Sequence, residues 1–167
     1  MTSATPGYRP CVGIMLLNRD GQVWIGRRLD APAEPEGPGT WWQMPQGGID
    51  AGEDPAPAAL RELREETGVR SARIIAQSPT WYTYELPQAL RRKAWGGRYR
   101  GQKQKWFAAR FLGDDAEVAL VQAGHKPEFG AWRWAKIDEL PALVVPFKRP
   151  VYEQVVRDFL ALAKPEA

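Results

Sequence analysis

The 167-residue sequence contains one cysteine, Cys11, one histidine, His125, and no long uninterrupted hydrophobic run. A single cysteine excludes a disulfide within the chain, and Cys11 is expected to fill core space within a strand. The absence of about 18 consecutive apolar residues excludes a transmembrane helix. The first residues lack the charged and apolar pattern of a signal peptide, so we expect a cytoplasmic protein. His125 has no obvious catalytic partner and is expected in a loop.

The organisation of the chain indicates one domain over residues 1–167, with residues 1–6 as a disordered tail. No repeat, linker or low-complexity segment divides it. Apolar and alternating patterns predict strands at 12–17, 22–27, 41–44, 72–77, 80–84, 104–111 and 131–135. Proline and glycine predict loops at 31–40 and 45–52, and helical patterns cover 55–67, 86–92 and 150–162. The mixture predicts an α/β/α layered domain.

The clearest helix in the sequence is the segment 55–67. Asp54 is a suitable N-cap, Pro55 a suitable first helical residue, and Gly68 a suitable C-terminal cap. The residues expected on its apolar face are Ala56, Ala59, Leu60, Leu63 and Thr67.

Charge is distributed unevenly along the chain. Residues 49–66 hold six acids, Asp50, Glu53, Asp54, Glu62, Glu65 and Glu66. Residues 91–105 hold seven bases and no acid, namely Arg91, Arg92, Lys93, Arg98, Arg100, Lys103 and Lys105. An acidic pocket beside a basic rim would suit a metal ion and a polyanion. From charge alone, two unrelated solvated surfaces remain the simpler interpretation.

Three glutamates of this helix, Glu62, Glu65 and Glu66, have the spacing i, i+3, i+4 and therefore share one face. That face is expected to lie opposite Leu60 and Leu63. Carboxylates this close repel one another, and a hard divalent cation such as Mg²⁺ would remove the repulsion. The alternative is a solvated acidic helix face, which is common.

The sequence around the triplet adds to the metal hypothesis. Gly47 and Gly48 permit close approach of the backbone to a metal or phosphate, and Arg61 is placed to pair with Glu53 and tie the loop to the helix. From Gly47 to Val69 the chain matches every position of G-x5-E-x7-R-E-U-x-E-E-x-G-U, where U is a bulky apolar residue. This pattern resembles the Nudix box, and it identifies the chain as a member of the Nudix hydrolase superfamily.

The resemblance extends over roughly 7–160 and points to one branch, the bacterial RNA pyrophosphohydrolases and asymmetrically cleaving diadenosine tetraphosphate hydrolases. Its segments are 7–10, 42–48, 101–107, 127–129 and 147–149. The loop 31–40 is longer than in the compact bacterial members, and Trp95-Gly96-Gly97 resembles the plant-type dinucleotide hydrolases. The fold implied is the Nudix fold, an α/β/α sandwich with a mixed sheet.

The resemblance also implies the catalytic groups. Glu62, Glu65 and Glu66 would bind two or three Mg²⁺ ions, for which Mn²⁺ can substitute, and Glu128 resembles an additional ligand from a distant loop. For Glu128 the alternative is an ordinary surface glutamate. Either Glu62 or Glu65 would orient or deprotonate the attacking water. Metal ions polarise phosphoryl oxygens, so no Ser, Cys or His nucleophile is required.

Basic and aromatic residues are the candidates for substrate binding. Those expected to neutralise the phosphates are Arg9, Arg28, Lys103, Lys105 and Lys148. Phe147 and Tyr84 are expected to support a nucleobase, and the resemblance implies a clamp between Arg28 and Phe147. Core packing is the alternative for Phe147. The tryptophans expected to serve as scaffold are Trp41, Trp42, Trp106, Trp132 and Trp134.

The predicted function is Mg²⁺-dependent removal of phosphate from 5′-triphosphorylated RNA ends. Asymmetric hydrolysis of diadenosine tetraphosphate and related dinucleotides is the close alternative. A catalytically silent Nudix domain that only binds nucleotides is a different class, and the intact glutamate set argues against it. A general nucleic-acid-binding protein is disfavoured by the complete box. We expect a monomer that does not associate with a membrane and has no stable protein partner.

Overall fold

The computed structural model describes residues 7–30, 41–91 and 94–166, so the predicted tail at 1–6 and loop at 31–40 lie outside the described residues. The strands are β1 (Tyr8–Leu17), β2 (Val23–Arg28), β3 (Trp42–Gln43), β4 (Gln46–Gly48), β5 (Ala72–Gln77), β6 (Tyr82–Glu85), β7 (Gly101–Phe111) and β8 (Phe129–Ala135). The helices are α1 (Pro55–Thr67), α2 (Gln88–Arg91), α3 (Leu140–Leu143) and α4 (Arg149–Phe159).

The described strands form one mixed sheet around a parallel pair. β1 runs parallel to β7 in continuous register from Tyr8 opposite Gly101 to Leu17 opposite Arg110. The path through the sheet is β3-β2-β1-β7-β5, while β4 pairs with β1, β6 with β7 and β8 with β2. All pairings except β1–β7 are antiparallel. The predicted hairpin of β1 and β2 is confirmed, with Leu17 opposite Val23.

Helices cover both faces of the sheet because β1 buries side chains on both sides. Its residues Val12, Ile14 and Leu16 pack in one core with Leu63 of α1. Met15 and Leu17 pack in a second core, which includes residues of α3 and α4. The predicted α/β/α sandwich with a mixed sheet is therefore confirmed. Among the described residues, no helix has the length and apolar character needed to cross a membrane.

One predicted element differs from the structure. The loop predicted at 45–52 contains strand β4, in which Gly48 pairs with Cys11 and Gln46 with Gly13 of β1. A three-residue strand with two glycines has no readable periodicity, so its pairing with β1 decides its conformation. Cys11 is buried as predicted, and burial raises the pKa of its thiol to about 11, which suits core filling.

Helix α1 begins and ends as predicted, with Pro55 in its first turn and Gly68 in the left-handed conformation at its end. The expected burial of Leu60 is wrong, since 37% of that residue is exposed. The helix is rotated so that Leu63 and Glu66 face inward. Glu66 therefore does not share a solvated face with Glu65, and it lies at the edge of the buried side of the helix.

Candidate active site

A cleft of about 600 Å³ opens at one edge of the sheet, beside β4 and the middle of α1. One end is acidic and is lined by Glu62, Glu66 and Glu128. The other end is aromatic and basic, and its lining includes Arg9, Arg28, Trp41, Tyr84, Trp95, Phe147 and Lys148. We call these the acidic end and the aromatic end. The cleft has the composition expected for an anionic substrate with a planar group and a cation for its phosphates.

Glycine in β4 permits the close contact between strand and helix at the acidic end. A Cβ atom at Gly47 would collide with the Glu62 carboxylate, so a side chain at this position would push β4 and α1 apart. The backbone N–H of Gln46 donates to Glu66 Oε2 at 3.1 Å. The carboxylates of α1 are thus set directly against the backbone of β4.

Arg61 connects the loop before α1 to the helix. Its Nε and Nη2 donate to the two oxygens of Glu53, each at 2.8 Å, and Nη2 also donates to the Gly48 carbonyl at 2.9 Å. Its Nη1 donates to Glu62 at 2.9 Å and to Glu65 at 3.2 Å. The predicted pairing of Arg61 with Glu53 is confirmed. Arg61 additionally supplies positive charge to two of the crowded carboxylates.

At the acidic end, burial makes the ionised form of the carboxyl groups energetically unfavourable. It raises the pKa of Glu62 to about 7, and it raises the pKa of the fully enclosed Glu66 well above the usual range. Repulsion adds to burial, because the charges of Glu62 and Glu128 both oppose ionisation of Glu66. The site therefore concentrates carboxylates where they are poorly hydrated.

A divalent cation fits this donor set, because hard oxygen ligands that cannot be hydrated are stabilised by coordination. Glu62, Glu66 and Glu128 would hold it, with Glu65 on the next turn of the same helix face as Glu62. Within the described ranges, no three acidic side chains already converge as a ligand cluster. Arg61 engages Glu62 and Glu65, so these carboxylates would have to turn from its guanidinium toward the ion.

The aromatic end is assembled from residues far apart in the sequence. The Arg28 guanidinium lies 5.3 Å from the centre of the Trp41 ring and is held there by a charged pair with Asp30. The Phe147 ring packs 5.7 Å from that of Tyr84. Phe147 thus both contacts the core and lines the cleft, so the two interpretations of this residue are not exclusive.

Lys148 lies buried at the floor of the aromatic end. Its Nζ donates to Gln43 Oε1 at 3.1 Å and lies 5.7 Å from the Tyr84 ring centre. Burial, with the nearby charge of Arg28, lowers the pKa of Lys148 to about 7. An incoming phosphate would place a negative charge beside Lys148 and so favour its protonated ammonium form.

Two of the predicted phosphate ligands do not line the cleft. Side chains alternate along β7, and Gln102 and Gln104 occupy the face toward Gln46 and the cleft. Lys103 and Lys105 therefore project from the opposite face. Lys103 Nζ lies 5.5 Å from the ring of the exposed Trp81. The structure brings Arg9, Arg28, Tyr84, Phe147 and Lys148 together, and it leaves Lys103 and Lys105 outside.

Sequence reasoning missed two aromatic residues of the cleft. Trp41 was interpreted as scaffold, and Trp95 was assigned no role, yet both line the cleft. Trp41 begins the predicted strand 41–44, whose apolar pattern indicates a core position, and Trp95 opens a short turn before β7, where no periodicity reveals its surroundings. For Trp95 the available signal is its place within the basic segment 91–105, which is weak without tertiary structure.

Comparison with known proteins agrees with the fold. The family model for the NUDIX domain matches residues 7–155. The chain therefore belongs to the Nudix family, as the box from Gly47 to Val69 predicted, and it is a Nudix hydrolase.

Curated relatives cover nearly the whole chain. An RNA pyrophosphohydrolase of Rhodospirillum rubrum is 54% identical over 166 residues, covering 99% of this chain and 95% of that protein. An RNA pyrophosphohydrolase of Rhizobium meliloti is 52% identical, covering 98% and 100%. Among solved structures, an E. coli dihydroneopterin triphosphate pyrophosphohydrolase has a TM-score of 0.66 at 21% identity and covers 91% of this chain and 99% of that one. At such low identity, this structure supports the shared fold alone.

Proposed function

We propose that this protein is a Mg²⁺-dependent pyrophosphohydrolase that removes phosphate from 5′-triphosphorylated RNA ends. The observation that carries the proposal is the cleft itself, in which crowded, poorly hydrated carboxylates face a wall of aromatic and cationic side chains. Relatives that are 52–54% identical over almost their full length carry the name RNA pyrophosphohydrolase, which supports the same substrate class.

The roles of the acidic residues follow from where the chain places them. Mg²⁺ bound by Glu62, Glu65, Glu66 and Glu128 would polarise the phosphoryl oxygens and acidify a bound water. Glu62 lies in the cleft, with Glu65 on the same helix face, and one of these two carboxylates would orient or deprotonate the attacking water. Arg61 holds the carboxylates in place before the cation arrives. Gly47 allows β4 to pack directly against the Glu62 carboxylate and so fixes its position.

The aromatic end would hold the remainder of the substrate. Arg28 and Lys148 offer positive charge at its floor, and Phe147 offers an aromatic face beside Tyr84. Lys148 would regain its full charge when phosphate enters, because the phosphate replaces lost hydration. The cleft is lined by residues of a single chain, so we propose that a monomer is sufficient. We also propose that it acts in the cytoplasm, where its proposed RNA substrate is found.

A direct test compares two substrates with and without Mg²⁺. The purified protein is incubated with an RNA labelled in its 5′-terminal γ-phosphate and, separately, with diadenosine tetraphosphate. Mg²⁺-dependent release of labelled phosphate or pyrophosphate, with the higher kcat/KM on RNA, is expected. A higher kcat/KM on diadenosine tetraphosphate would assign the enzyme to dinucleotide hydrolysis instead. Binding without turnover of either substrate would indicate a silent Nudix domain.

A further inference from the structure

The cleft contains two pairings of a guanidinium with an indole. Arg28 lies 5.3 Å from the ring centre of Trp41, and Arg9 lies 5.3 Å from that of Trp95. Both pairs line the same cavity. Both cations also act on the Tyr84 hydroxyl, where their charges oppose the burial that raises its pKa. The two pairs therefore lie near the same buried tyrosine. Each pair offers an indole face for a planar group and a guanidinium for an anion.

Arg9 connects its pair to the acidic end. Its guanidinium lies so close to the backbone of Gly48 that a Cβ atom at Gly48 would collide with it. Gly48 follows Gly47, which contacts Glu62. A phosphate near Arg9 would thus lie between the carboxylates and Trp95. This position suits a phosphate that joins two groups, one at the acidic end and one farther out.

Trp95 is supported as part of a preformed wall. Leu86, Leu90 and Ala94 line the cleft beside it and give the wall an apolar surface. Its turn is fixed by hydrogen bonds from the Ala94 N–H to the Leu90 carbonyl at 3.0 Å and from the Arg98 N–H to the Trp95 carbonyl at 3.2 Å. Trp95 has a φ of 54°, and in the described part of the chain no other residue except glycine has a positive φ. A bulky residue adopts this region only where its surroundings hold it there.

We infer that the Arg9–Trp95 pair forms a second nucleobase site. The inference rests on the proposed function: one base of the RNA is held at Arg28 and Phe147, and the base of the adjacent nucleotide stacks on Trp95. Arg9 neutralises the phosphate that joins the two nucleotides. The enzyme thus recognises a 5′ end of at least two nucleotides, whereas a free nucleoside triphosphate lacks the joining phosphate and is held mainly by its triphosphate, with its base in neither site.

The first test measures discrimination between one base and two. The kcat/KM values for a 5′-triphosphorylated dinucleotide, for diadenosine tetraphosphate and for ATP are determined with wild type, Trp95→Ala and Trp95→Phe. The dinucleotide-to-ATP ratio is expected to fall by roughly 5- to 150-fold in Trp95→Ala, the loss associated with one stacked base. Trp95→Phe keeps an aromatic face and should retain most of the ratio. Trp81→Ala, which removes an indole outside the cleft beside Lys103, is the matched control and should leave the ratio unchanged.

The second test measures binding without turnover. A triphosphorylated dinucleotide with methylene-bridged phosphates carries 2-aminopurine at its first or its second position, and stacking quenches its fluorescence. Wild type should quench the probe at both positions, whereas Trp95→Ala should lose quenching at one position only. Circular dichroism melts of each variant report whether the fold is retained.

Several results would overturn the site. An unchanged dinucleotide-to-ATP ratio in Trp95→Ala with quenching intact at both positions would mean that Trp95 is only part of the wall. A fall in the kcat/KM of Trp95→Ala that is confined to diadenosine tetraphosphate would assign the Arg9–Trp95 pair to dinucleoside polyphosphates instead of RNA. If wild type fails to hydrolyse triphosphorylated RNA, the proposed function is wrong, and the quenching experiment still decides whether Trp95 binds a base.

Discussion

The two ends of the cleft are built in different ways. Apart from Glu128, which lies just before β8, the acidic end draws its residues Gly47, Arg61, Glu62 and Glu66 from one continuous stretch of strand, loop and helix. The aromatic end draws Arg9, Arg28, Tyr84, Trp95 and Phe147 from five separate segments. The geometry of the first is fixed by local spacing, and that of the second by how β1, β2, β6 and the segments after α2 and α3 come together. On the proposed function, phosphate chemistry and substrate choice would have separate structural origins, and we expect that each can be disturbed without the other.

This difference gives the two ends distinct expected phenotypes. Changes at the acidic end should affect every substrate alike, because all substrates present phosphates to the same carboxylates. Changes at the aromatic end should affect substrates according to the bases they carry. The following predictions test this separation, beginning with the largest effect.

Glu65→Gln should have the largest effect. Loss of one carboxylate for the cation should reduce kcat by about two orders of magnitude or more on every substrate, since metal stabilisation of the transition state is worth several kcal/mol. The melting temperature should not fall, because the substitution relieves charge crowding on α1. Turnover with saturating Mg²⁺ and circular dichroism melts provide the measurements.

Asp50→Asn is the matched control for this substitution. Its carboxylate lies 3.6 Å from Arg61 on the same loop but is 75% exposed, so its loss should have little effect on kcat. Near wild-type turnover of Glu65→Gln would show that Glu65 does not bind the metal.

Phe147→Ala should separate substrates at the aromatic end. A stacked base contributes roughly 1–3 kcal/mol, which corresponds to about 5- to 150-fold in kcat/KM. We expect a loss of this size on triphosphorylated RNA and a much smaller one on ATP. The kcat/KM values on RNA, diadenosine tetraphosphate and ATP provide the comparison. Equal losses on all three would reduce Phe147 to a core residue packed on Tyr84.

The contrast between the two ends also explains what the sequence could predict. The carboxylates of α1, its caps and the Arg61–Glu53 pair were predictable because helical spacing and a short loop place them. Leu60 was misplaced because it lies at the margin of the apolar face, where packing on the sheet decides the rotation of the helix. Family resemblance, and not periodicity, pointed to Phe147 and Glu128.

The residues that sequence reasoning misplaced or missed depend on register and loop packing. β7 was predicted, but the prediction could not decide which face of the strand Lys103 and Lys105 occupy, and the pairing with β1 turns them from the cleft. Trp41 and Trp95 flank segments without periodicity, so only the folded chain reveals that each lies against an arginine. Strand β4 was missed for the same reason.

Arg61→Ala should weaken the acidic end through stability as well as activity. The substitution removes hydrogen bonds to Glu53 and Gly48 and leaves Glu62 and Glu65 without their cation. We expect a loss of about 1–3 kcal/mol in unfolding free energy, with a melting temperature lower by roughly 2–4 °C per kcal/mol. Urea denaturation and thermal melts measure this loss. Arg61→Lys keeps the positive charge without the forked guanidinium, so its unfolding free energy should lie between those of wild type and Arg61→Ala. An unchanged melting temperature with weaker Mg²⁺ binding would contradict the proposal that Arg61 ties the loop before α1 to the helix.

The smallest expected effect is a pH dependence from Glu53. The hydrogen bond from Arg61, together with that from the Asp50 backbone N–H, lowers the pKa of Glu53 to about 2 from a usual value near 4.5. Because the folded-state pKa is lower than the unfolded one, the ionised group stabilises the fold above about pH 4.5, and this stabilisation is lost as the pH falls through 2. The difference in melting temperature between wild type and Glu53→Gln should therefore stay nearly constant from pH 6 to about pH 5 and then narrow as the pH falls toward 2. In an Arg61→Ala background the same substitution should give a difference that varies much less with pH, because the partner that lowers the pKa is missing. A difference that stays constant with pH in the wild-type background would show that Glu53 holds the loop by shape alone, without its charge.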